Sequence, residues 1–120
     1  MKLQKLISKL EKHHKKKLDL SLGRTFNLLK KLGNPQDKLK NVVTVVGTNA
    51  KASMCYSLKS ILNQAGHKTN LYTSPHLLSY TERYVLDDKE INEEDLIELL
   101  TCVEKTLGDD NATLFEILTC

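Results

Sequence analysis

The spacing of apolar residues changes along this chain, and each spacing predicts a different element. Near the N-terminus they recur every three or four positions, which predicts an amphipathic helix over residues 2–16. A second helix is predicted with Ser21 as its N-cap and Gly33 just past its end, because these residue types favour those positions. The predicted apolar side of this helix consists of Leu22, Phe26, Leu29 and Leu32.

The middle of the chain has the order strand, helix, strand. Residues 42–46 are a nearly continuous valine run, which predicts a strand buried on both faces, as in a parallel sheet. A helix over residues 51–65 and a strand over residues 69–73 complete a βαβ unit with a right-handed crossover. The predicted apolar stripe of that helix is Met54, Leu58, Ile61 and Leu62. Ser74 and Pro75 end the second strand at its carboxyl end, where open α/β sheets place ligands.

The last third of the chain continues the alternation. Residues 82–86 are predicted to be extended and to turn at residues 87–88, with Ile91 pairing back. Asn92 opens a predicted helix that ends near Gly108, and Thr113 starts a further helical segment. A single βαβ unit cannot cover both faces of a parallel sheet. The predicted fold class is therefore α/β: the start of a larger, mostly parallel-sheet domain, preceded by two helices.

Composition is that of one globular domain. The 120 residues are 40% hydrophobic and 28% charged, and no apolar run approaches the roughly 20 residues of a membrane span. The lysine-rich N-terminus lacks the apolar stretch and cleavage site of a secretory signal. Cys55, Cys102 and Cys120 have no C-x-x-C spacing, which favours free thiols in a reducing cytoplasm over a disulfide or zinc site.

Charge is distributed unevenly. Residues 1–40 carry a net charge of +9 and residues 41–120 a net charge of −6. The basic part could attract an anionic partner such as a nucleic acid, but no aromatic residues are interleaved with its lysines. A solvated helix face is the favoured interpretation, and nucleic-acid binding is kept as a minor alternative.

The segment at residues 47–53 carries the candidate chemistry. Its small residues would let backbone N–H groups approach a polyphosphate, Lys51 would add a positive charge, and Ser53 could reach Mg²⁺. Ala50 stands where a glycine normally precedes the lysine, and Ala52 separates Lys51 from Ser53, so the usual phosphate-loop string is absent. The segment alone leaves nucleotide binding and an ordinary strand–turn–helix connection equally open.

Six segments occur in the order of one known family. They are L-D-L-S-L-G-R at 18–24, L-G-N-P-Q at 32–36, G-T-N-A-K-A-S at 47–53, L-Y-T-S-P-H-L at 71–77, Y-T-E-R at 80–83 and T-L-F-E at 113–116. Over residues 18–120 the chain thus resembles the dihydrofolate synthase/folylpolyglutamate synthase family, relatives of the Mur ligases. The resemblance implies a P-loop domain like the central domain of Mur ligases, here as its N-terminal part.

The resemblance also implies an activity. Family members are ATP-dependent amide ligases in which a carboxylate of dihydropteroate or of a folate takes the γ-phosphate of ATP. The acyl phosphate is then displaced by the amine of L-glutamate. The implied cofactors are ATP and Mg²⁺, and the implied parent enzyme is a cytoplasmic monomer without a membrane or nucleic-acid partner.

The family pattern assigns three sets of site residues. The ATP set is Gly47, Thr48, Asn49, Ala50, Lys51, Ala52 and Ser53, with Lys51 as the catalytic residue, and the metal set is Ser53 and Ser74. The pterin or folate set is Leu18, Asp19, Leu20, Arg83, Thr113, Leu114, Phe115 and Glu116. Each has a plainer interpretation: a solvated Lys51, a turn-capping Ser74, a core Phe115 or an exposed Glu116. The family gives His76 no catalytic role.

The expected organisation is a basic helical lead-in at 1–40 followed by the βαβ part at 41–120. The family's remaining metal ligands and its C-terminal glutamate-binding domain follow later in sequence, so we expect this chain alone to be inactive. The alternative is a non-catalytic nucleotide-binding or interaction module. At Ala50 and Ala52, alanine is harmless if φ is negative and costs on the order of 1 kcal/mol if φ is positive.

Overall fold

The computed structural model describes residues 2–12 and 22–120. These residues divide into two compact units, unit 1 (Met1–Asn41 and Glu94–Cys120) and unit 2 (Val42–Glu93). In chain order the elements are α1 (Lys2–Glu11), α2 (Gly23–Lys31), a 3₁₀ turn (Pro35–Lys38), α3 (Lys51–Gln64), β1 (Leu71–Tyr72), a second 3₁₀ turn (Tyr80–Arg83), β2 (Tyr84–Leu86), β3 (Lys89–Glu90), α4 (Glu93–Leu107) and α5 (Leu114–Thr119).

Unit 1 is a helical core. Helices α1 and α2 both pack against α5, and α4 contributes Leu96, Leu100 and Leu107 to the buried set. The largest fully buried side chains are Leu10, Leu28, Leu96, Leu107 and Ile117, and all of them lie in this unit. Of the predicted apolar face of α1, Leu3, Ile7 and Leu10 are buried and Leu6 is half-buried.

Helix α2 buries a different side from the predicted one. Leu28 is 1% exposed, whereas Phe26 is 60% and Leu22 is 64% exposed. The helix packs against α5, and its buried face is the one that contains Leu28, because tertiary packing selects the face that periodicity only suggests. Gly33 follows the helix with φ +82, as predicted for its C-terminal stop. The predicted cap at Ser21 and the predicted helical residues 13–16 lie outside the described residues.

Unit 2 contains a small antiparallel sheet instead of the predicted parallel one. Strands β1, β2 and β3 lie in that order, with Leu71 paired to Val85 and Leu86 paired to Lys89. The backbone of Ile91 donates to that of Tyr84 at 3.0 Å, which confirms the predicted return pairing. Helix α3 packs beside β1, and its bounds agree with the predicted helix to within one residue.

The predicted strand at residues 42–46 is not formed as a strand in the described chain. Val42, Val43 and Val46 are 66%, 63% and 83% exposed. A strand requires a neighbour that completes its hydrogen-bond ladder, and no other described segment pairs with these residues. The predicted stripe of α3 is only partly covered: Met54 and Ile61 are more than half exposed, and Leu58 and Leu62 are half-buried.

The structure also bears on membrane spans and on the cysteines. No helix within the described residues has the length and apolar content needed to cross a membrane. Cys55, Cys102 and Cys120 are all free thiols.

Candidate functional site

The N-terminus of helix α3 is the centre of the predicted phosphate loop. Ala50 is its N-cap residue, in the left-handed region, and makes no side-chain cap hydrogen bond. The first N–H groups of an α-helix have no acceptor within the helix. Because no described side chain caps them here, the N–H groups at the start of α3 are available to an anion, which the helix dipole also favours.

Lys51 is folded back onto this loop. Its Nζ donates to the carbonyl oxygen of Gly47 at 2.7 Å. A phosphate bound at the loop would replace this neutral acceptor by a charged one, and charge-assisted hydrogen bonds are the stronger kind. Ser53 lies in the first turn of α3 and is exposed, so its hydroxyl is accessible to a ligand of the loop.

The two alanines of the loop differ in backbone conformation. Ala50 has φ +57, whereas Ala52 lies inside α3. A left-handed conformation costs a non-glycine residue about 1–2 kcal/mol, while alanine is the residue that best tolerates a helix. Ala50 therefore occupies a position that suits glycine, and Ala52 does not.

Ser74 lies in a hydrogen-bonded cluster just after β1. The backbone N–H of Thr73 donates to the carbonyl of Arg83 at 2.9 Å, and Arg83 Nη1 donates to Ser74 Oγ at 3.2 Å. Arg83 Nε donates to Nδ1 of His76 at 2.8 Å. The Arg83 guanidinium also lies 5.4 Å from the centre of the Tyr80 ring, a distance typical of cation–π contact.

Glu82 holds the loop between this cluster and the second 3₁₀ turn. Its carboxylate accepts from the backbone N–H groups of Leu77, Leu78 and Ser79 at 2.8, 2.7 and 2.6 Å. These hydrogen bonds, led by that from Leu77, lower the pKa of Glu82 below its ordinary value. The carboxylate thus orders a loop whose leucine side chains, Leu77 and Leu78, are 92% and 95% exposed.

The predicted pterin-side segment 113–116 forms the start of helix α5 in unit 1. Thr113 and Glu116 make a capping box, in which the N–H of Glu116 donates to Thr113 Oγ1 and the N–H of Thr113 donates to the Glu116 carboxylate. Arg24 Nε and Nη2 donate to the same carboxylate at 3.0–3.2 Å. Phe115 is 55% exposed, so its ring is accessible and does not belong to the core.

The electrostatics of Glu116 reflect these partners. Burial alone would raise the pKa of Glu116, but the hydrogen bonds and charge of Arg24, with the N–H of Thr113, outweigh burial and lower it. Glu116 is therefore an ionised, well-partnered carboxylate and not an isolated exposed one.

The predicted site residues are divided between the two units. The segment 47–53, Ser74 and Arg83 belong to unit 2, and residues 113–116 belong to unit 1. Leu18, Asp19 and Leu20 lie outside the described residues. Within the described ranges, no three His, Cys, Asp or Glu side chains come together as a metal site.

Sequence reasoning missed two sets of contacts. His76 is a partner of Arg83, and the seven-residue spacing between them gives no local signal of this contact. Arg24 meets Glu116 across 92 residues of chain, a separation at which only the fold brings residues together. The motif order did point to Arg24 and Arg83 as members of notable segments, but not to their partners.

No protein-family model matches the chain. Dihydrofolate synthase/folylpolyglutamate synthase of Escherichia coli is 39% identical over 110 residues, covering 92% of this chain and 26% of that protein. Dihydrofolate synthetase of Saccharomyces cerevisiae is 35% identical over 105 residues, covering 86% of this chain and 24% of that protein.

Solved structures of the same enzymes also match this chain. Escherichia coli FolC in complex with DHPP and ADP superposes with a TM-score of 0.83 at 38% identity, covering 98% of this chain and 28% of that one. The bifunctional synthase of Yersinia pestis with AMPPNP and Mn has a TM-score of 0.82 at 34% identity, with coverages of 98% and 28%.

These matches show that the chain is α/β and has the fold of the corresponding part of FolC and of the bifunctional folylpolyglutamate synthase/dihydrofolate synthase. More specifically, the chain matches a segment of the dihydrofolate synthase/folylpolyglutamate synthase family, and the resemblance drawn from its motifs is confirmed. It spans about a quarter of the length of the curated relatives named above, 26% and 24%.

Proposed function

We propose that this chain supplies the ATP-phosphate-binding segment of a ligase that adds L-glutamate to dihydropteroate, to folates or to both. The observation that carries the proposal is the start of α3, where uncapped N–H groups follow a loop against which Lys51 is already folded. The nucleotides and Mn bound by the two related structures support the same interpretation.

Different groups of the loop are proposed to bind the nucleotide in different ways. Gly47, Thr48, Asn49 and Ala50 contribute backbone around the phosphates, and the N–H groups of Lys51, Ala52 and Ser53 lie at the positive end of α3. The Lys51 ammonium neutralises charge that develops on the transferred phosphoryl group, which makes Lys51 the catalytic residue of this segment.

The hydroxyls of Ser53 and Ser74 are proposed as ligands of Mg²⁺ together with the nucleotide. Both residues are exposed, and oxygen ligands suit this cation, which keeps several waters and binds substrate phosphates. Two hydroxyls do not hold Mg²⁺ alone, so the phosphate oxygens and further ligands must complete the site.

The proposed reaction has two steps. A carboxylate oxygen of the pterin or folate substrate attacks the γ-phosphorus of ATP, and ADP leaves. The amine of L-glutamate then attacks the acyl carbon, an amide bond forms, and inorganic phosphate leaves. Preorganised positive charge at the phosphates accelerates the first step, since phosphoryl transfer depends mainly on positioning and electrostatics.

The family pattern also supports a proposed binding site for the pterin or folate substrate. Phe115 is accessible for contact with an aromatic ring, and the Glu116 carboxylate is fixed by Arg24. Thr113 and Leu114 share that segment, and Leu18, Asp19 and Leu20 are proposed for the same substrate. An anionic substrate group is the proposed partner of Arg83.

The wider organisation of the enzyme is also proposed. Further strands in the longer relatives would pair with residues 42–46 and complete the mostly parallel sheet of a P-loop domain, which would cover Val42, Val43 and Val46. We propose a monomeric cytoplasmic parent enzyme, and we expect that the 120 residues alone do not complete the reaction.

Nucleotide binding by the chain itself tests the proposal. Isothermal titration with ADP and Mg²⁺ compares the unmodified chain, Lys51→Ala and the control Lys68→Ala, which removes an exposed lysine of the same unit. Loss of a charge-assisted contact of about 1.5–3 kcal/mol predicts at least tenfold weaker binding for Lys51→Ala. Equal affinities for all three proteins would reject the loop as the nucleotide site.

The second candidate, a non-catalytic nucleotide-binding or interaction module, is favoured by the open apolar residues of unit 2. An assay of ADP release with ATP, dihydropteroate and glutamate separates the two in the full-length protein that contains this segment. Glutamate-dependent turnover supports the ligase, and nucleotide binding without turnover supports the module.

A further inference from the structure

Helix α1, with the residue that directly follows it, carries a row of lysines on the side that faces away from the core of unit 1. The buried residues of α1 are Leu3, Ile7 and Leu10. The lysines follow one another three or four positions apart, so they share one face of the helix, roughly opposite the buried residues. This lysine row consists of Lys2, Lys5, Lys9 and Lys12, and all four residues are exposed.

Acidic groups compensate only part of this charge. Lys9 Nζ lies 2.8 Å from a carboxylate oxygen of Glu104 in α4, and the Lys9 side chain is still 64% exposed. The other three lysines of the row form no ion pair with any described residue. The acidic residue of α1 itself is Glu11, which lies about 100° or more around the helix axis from each lysine of the row. The row is therefore a strip of exposed positive charge.

The spacing of the lysine row does not stabilise α1. Like charges three or four positions apart repel each other on a helix surface. Lys2 begins the helix, whose first turn contains no acidic residue, although the helix dipole makes positive side chains unfavourable there. Solvation of this face would be achieved equally well by neutral polar residues, so the arrangement favours an anionic partner that offsets the repulsion.

An open groove of about 390 Å³ lies along the lysine row. Every side chain that lines it ends in a hydrogen-bond donor: an ammonium, an amide or a hydroxyl. The lining residues are Gln4, Lys5, Ser8, Lys9 and Lys12. Several donors along one helix face suit a chain of carboxylates better than a single small anion.

The composition of this surface favours carboxylates over a nucleic acid. Residues 2–12 contain no arginine and no aromatic residue, so they offer neither the rigid fork that matches phosphate nor a platform for base stacking. The row extends over about 15 Å at 1.5 Å per residue. An extended chain of several linked glutamates can place carboxylates along this length.

We propose that the lysine row is a docking surface for the polycarboxylate tail of folates that already carry several glutamates. This proposal rests on the proposed function, because that reaction makes such a tail: each added glutamate consumes one carboxylate, brings two and so adds one negative charge. Helix α1 packs against α5, whose first residues belong to the proposed pterin-side segment of the same unit. Electrostatic attraction by the row raises the local concentration of the more highly charged substrates.

Binding of fluorescently labelled pentaglutamate to the 120-residue chain, measured by anisotropy in about 0.1 M salt, tests this docking surface without nucleotide or metal. The variant Lys5→Gln/Lys12→Gln removes two charges of the row and introduces residues that favour a helix. The control Lys38→Gln/Lys40→Gln removes two exposed charges elsewhere in unit 1, so the two variants have the same net charge.

We expect the unmodified chain to bind pentaglutamate and not the uncharged pentaglutamine. Two exposed ion pairs predict about 3- to 10-fold weaker binding for Lys5→Gln/Lys12→Gln, and the control is expected to bind as the unmodified chain does. Absence of pentaglutamate binding would overturn the proposal. Equal losses in the two variants would also overturn it, because net charge and not the row would then attract the peptide.

Two further measurements identify the occupant and separate this proposal from the proposed function. Tighter binding of a single-stranded oligonucleotide of equal charge, weakened by Lys5→Gln/Lys12→Gln, would overturn the proposal in favour of a nucleic acid. Titration of the same chain with ADP and Mg²⁺ examines the nucleotide loop separately. If ADP binds and pentaglutamate does not, only the docking surface is wrong. If ADP does not bind and pentaglutamate binding depends on the row, the nucleotide site is wrong and the docking surface is supported.

Discussion

The two units of the chain differ in how many large apolar side chains they enclose. Unit 1 encloses apolar side chains, with five large residues fully buried. Unit 2 buries the apolar Val85 and Ile91 and the polar Thr81 and Arg83, and leaves apolar side chains such as Val46 and Leu77 exposed. Burial of apolar surface is the main source of folding free energy, so unit 1 is expected to carry most of the stability. The predicted nucleotide loop lies in the unit that has the smaller core.

The largest expected loss of stability comes from a substitution in the core of unit 1. Leu96→Ala removes a side chain that is 2% exposed, whereas the control Leu77→Ala removes the same atoms from a side chain that is 92% exposed. Loss of burial and the cavity left behind predict that Leu96→Ala lowers the free energy of unfolding by about 2–5 kcal/mol. Urea unfolding of both variants measures this difference.

The matched substitution in unit 2 is expected to have a much smaller effect on stability. Leu77→Ala is expected to change the free energy of unfolding by less than about 0.5 kcal/mol. Comparable losses in the two variants would mean that the exposed Leu77 side chain contributes as much stability as the enclosed Leu96, and the contrast between the units would be wrong.

The Arg24–Glu116 contact gives a smaller effect with a defined pH dependence. Glu116→Gln removes the charge from hydrogen bonds that link α2 to α5, with an expected cost of about 1–2 kcal/mol for partly exposed partners. Because the pKa of Glu116 is lowered in the folded state, its ionised form stabilises the fold above the ordinary pKa of 4.5. This contribution is lost as pH falls through the lowered folded pKa.

Unfolding free energies between pH 7 and pH 3 check the pH effect. The difference between the unmodified chain and Glu116→Gln is expected to be largest at neutral pH and to shrink below the ordinary pKa of Glu116. A difference that stays constant across this range would show that the carboxylate charge is not the source of the effect.

Apart from the Leu77→Ala control, the smallest expected effects come from replacing each of the two loop alanines by glycine. Ala50→Gly is expected to raise the free energy of unfolding by up to about 1 kcal/mol, because glycine adopts a positive φ without steric cost. Ala52→Gly is expected to lower it by up to about 1 kcal/mol, since glycine is unfavourable within a helix. Thermal unfolding of the two variants gives opposite shifts, and shifts of the same sign would contradict the conformations of Ala50 and Ala52.

Local signals in the sequence predicted the helices and the family. The spacing of Leu3, Ile7 and Leu10 and the glycine at position 33 gave helix positions that the structure confirms, because periodicity and stop residues act within a few turns. The ordered motifs gave the family, which the relatives confirm.

Other features depended on partners that lie far apart in the sequence. Residues 42–46 have strand composition, but without a pairing neighbour among the described residues they form no ladder. The buried face of α2 was decided by tertiary packing, and the acceptors of Arg83 were decided by the return of the chain from β1 to β2. A pattern in one segment cannot specify which distant segment it meets.

The central claim is that the start of α3 binds nucleotide phosphates, and a residue-resolved titration tests it most directly. Backbone amide NMR of the chain is recorded while ADP and Mg²⁺ are added. Our account predicts that the amide signals of Lys51, Ala52 and Ser53 shift together and saturate, and that Lys51→Ala raises the ADP concentration needed for saturation at least tenfold. Saturating shifts confined to the lysine-rich α1, or no shifts at any amide, would contradict it.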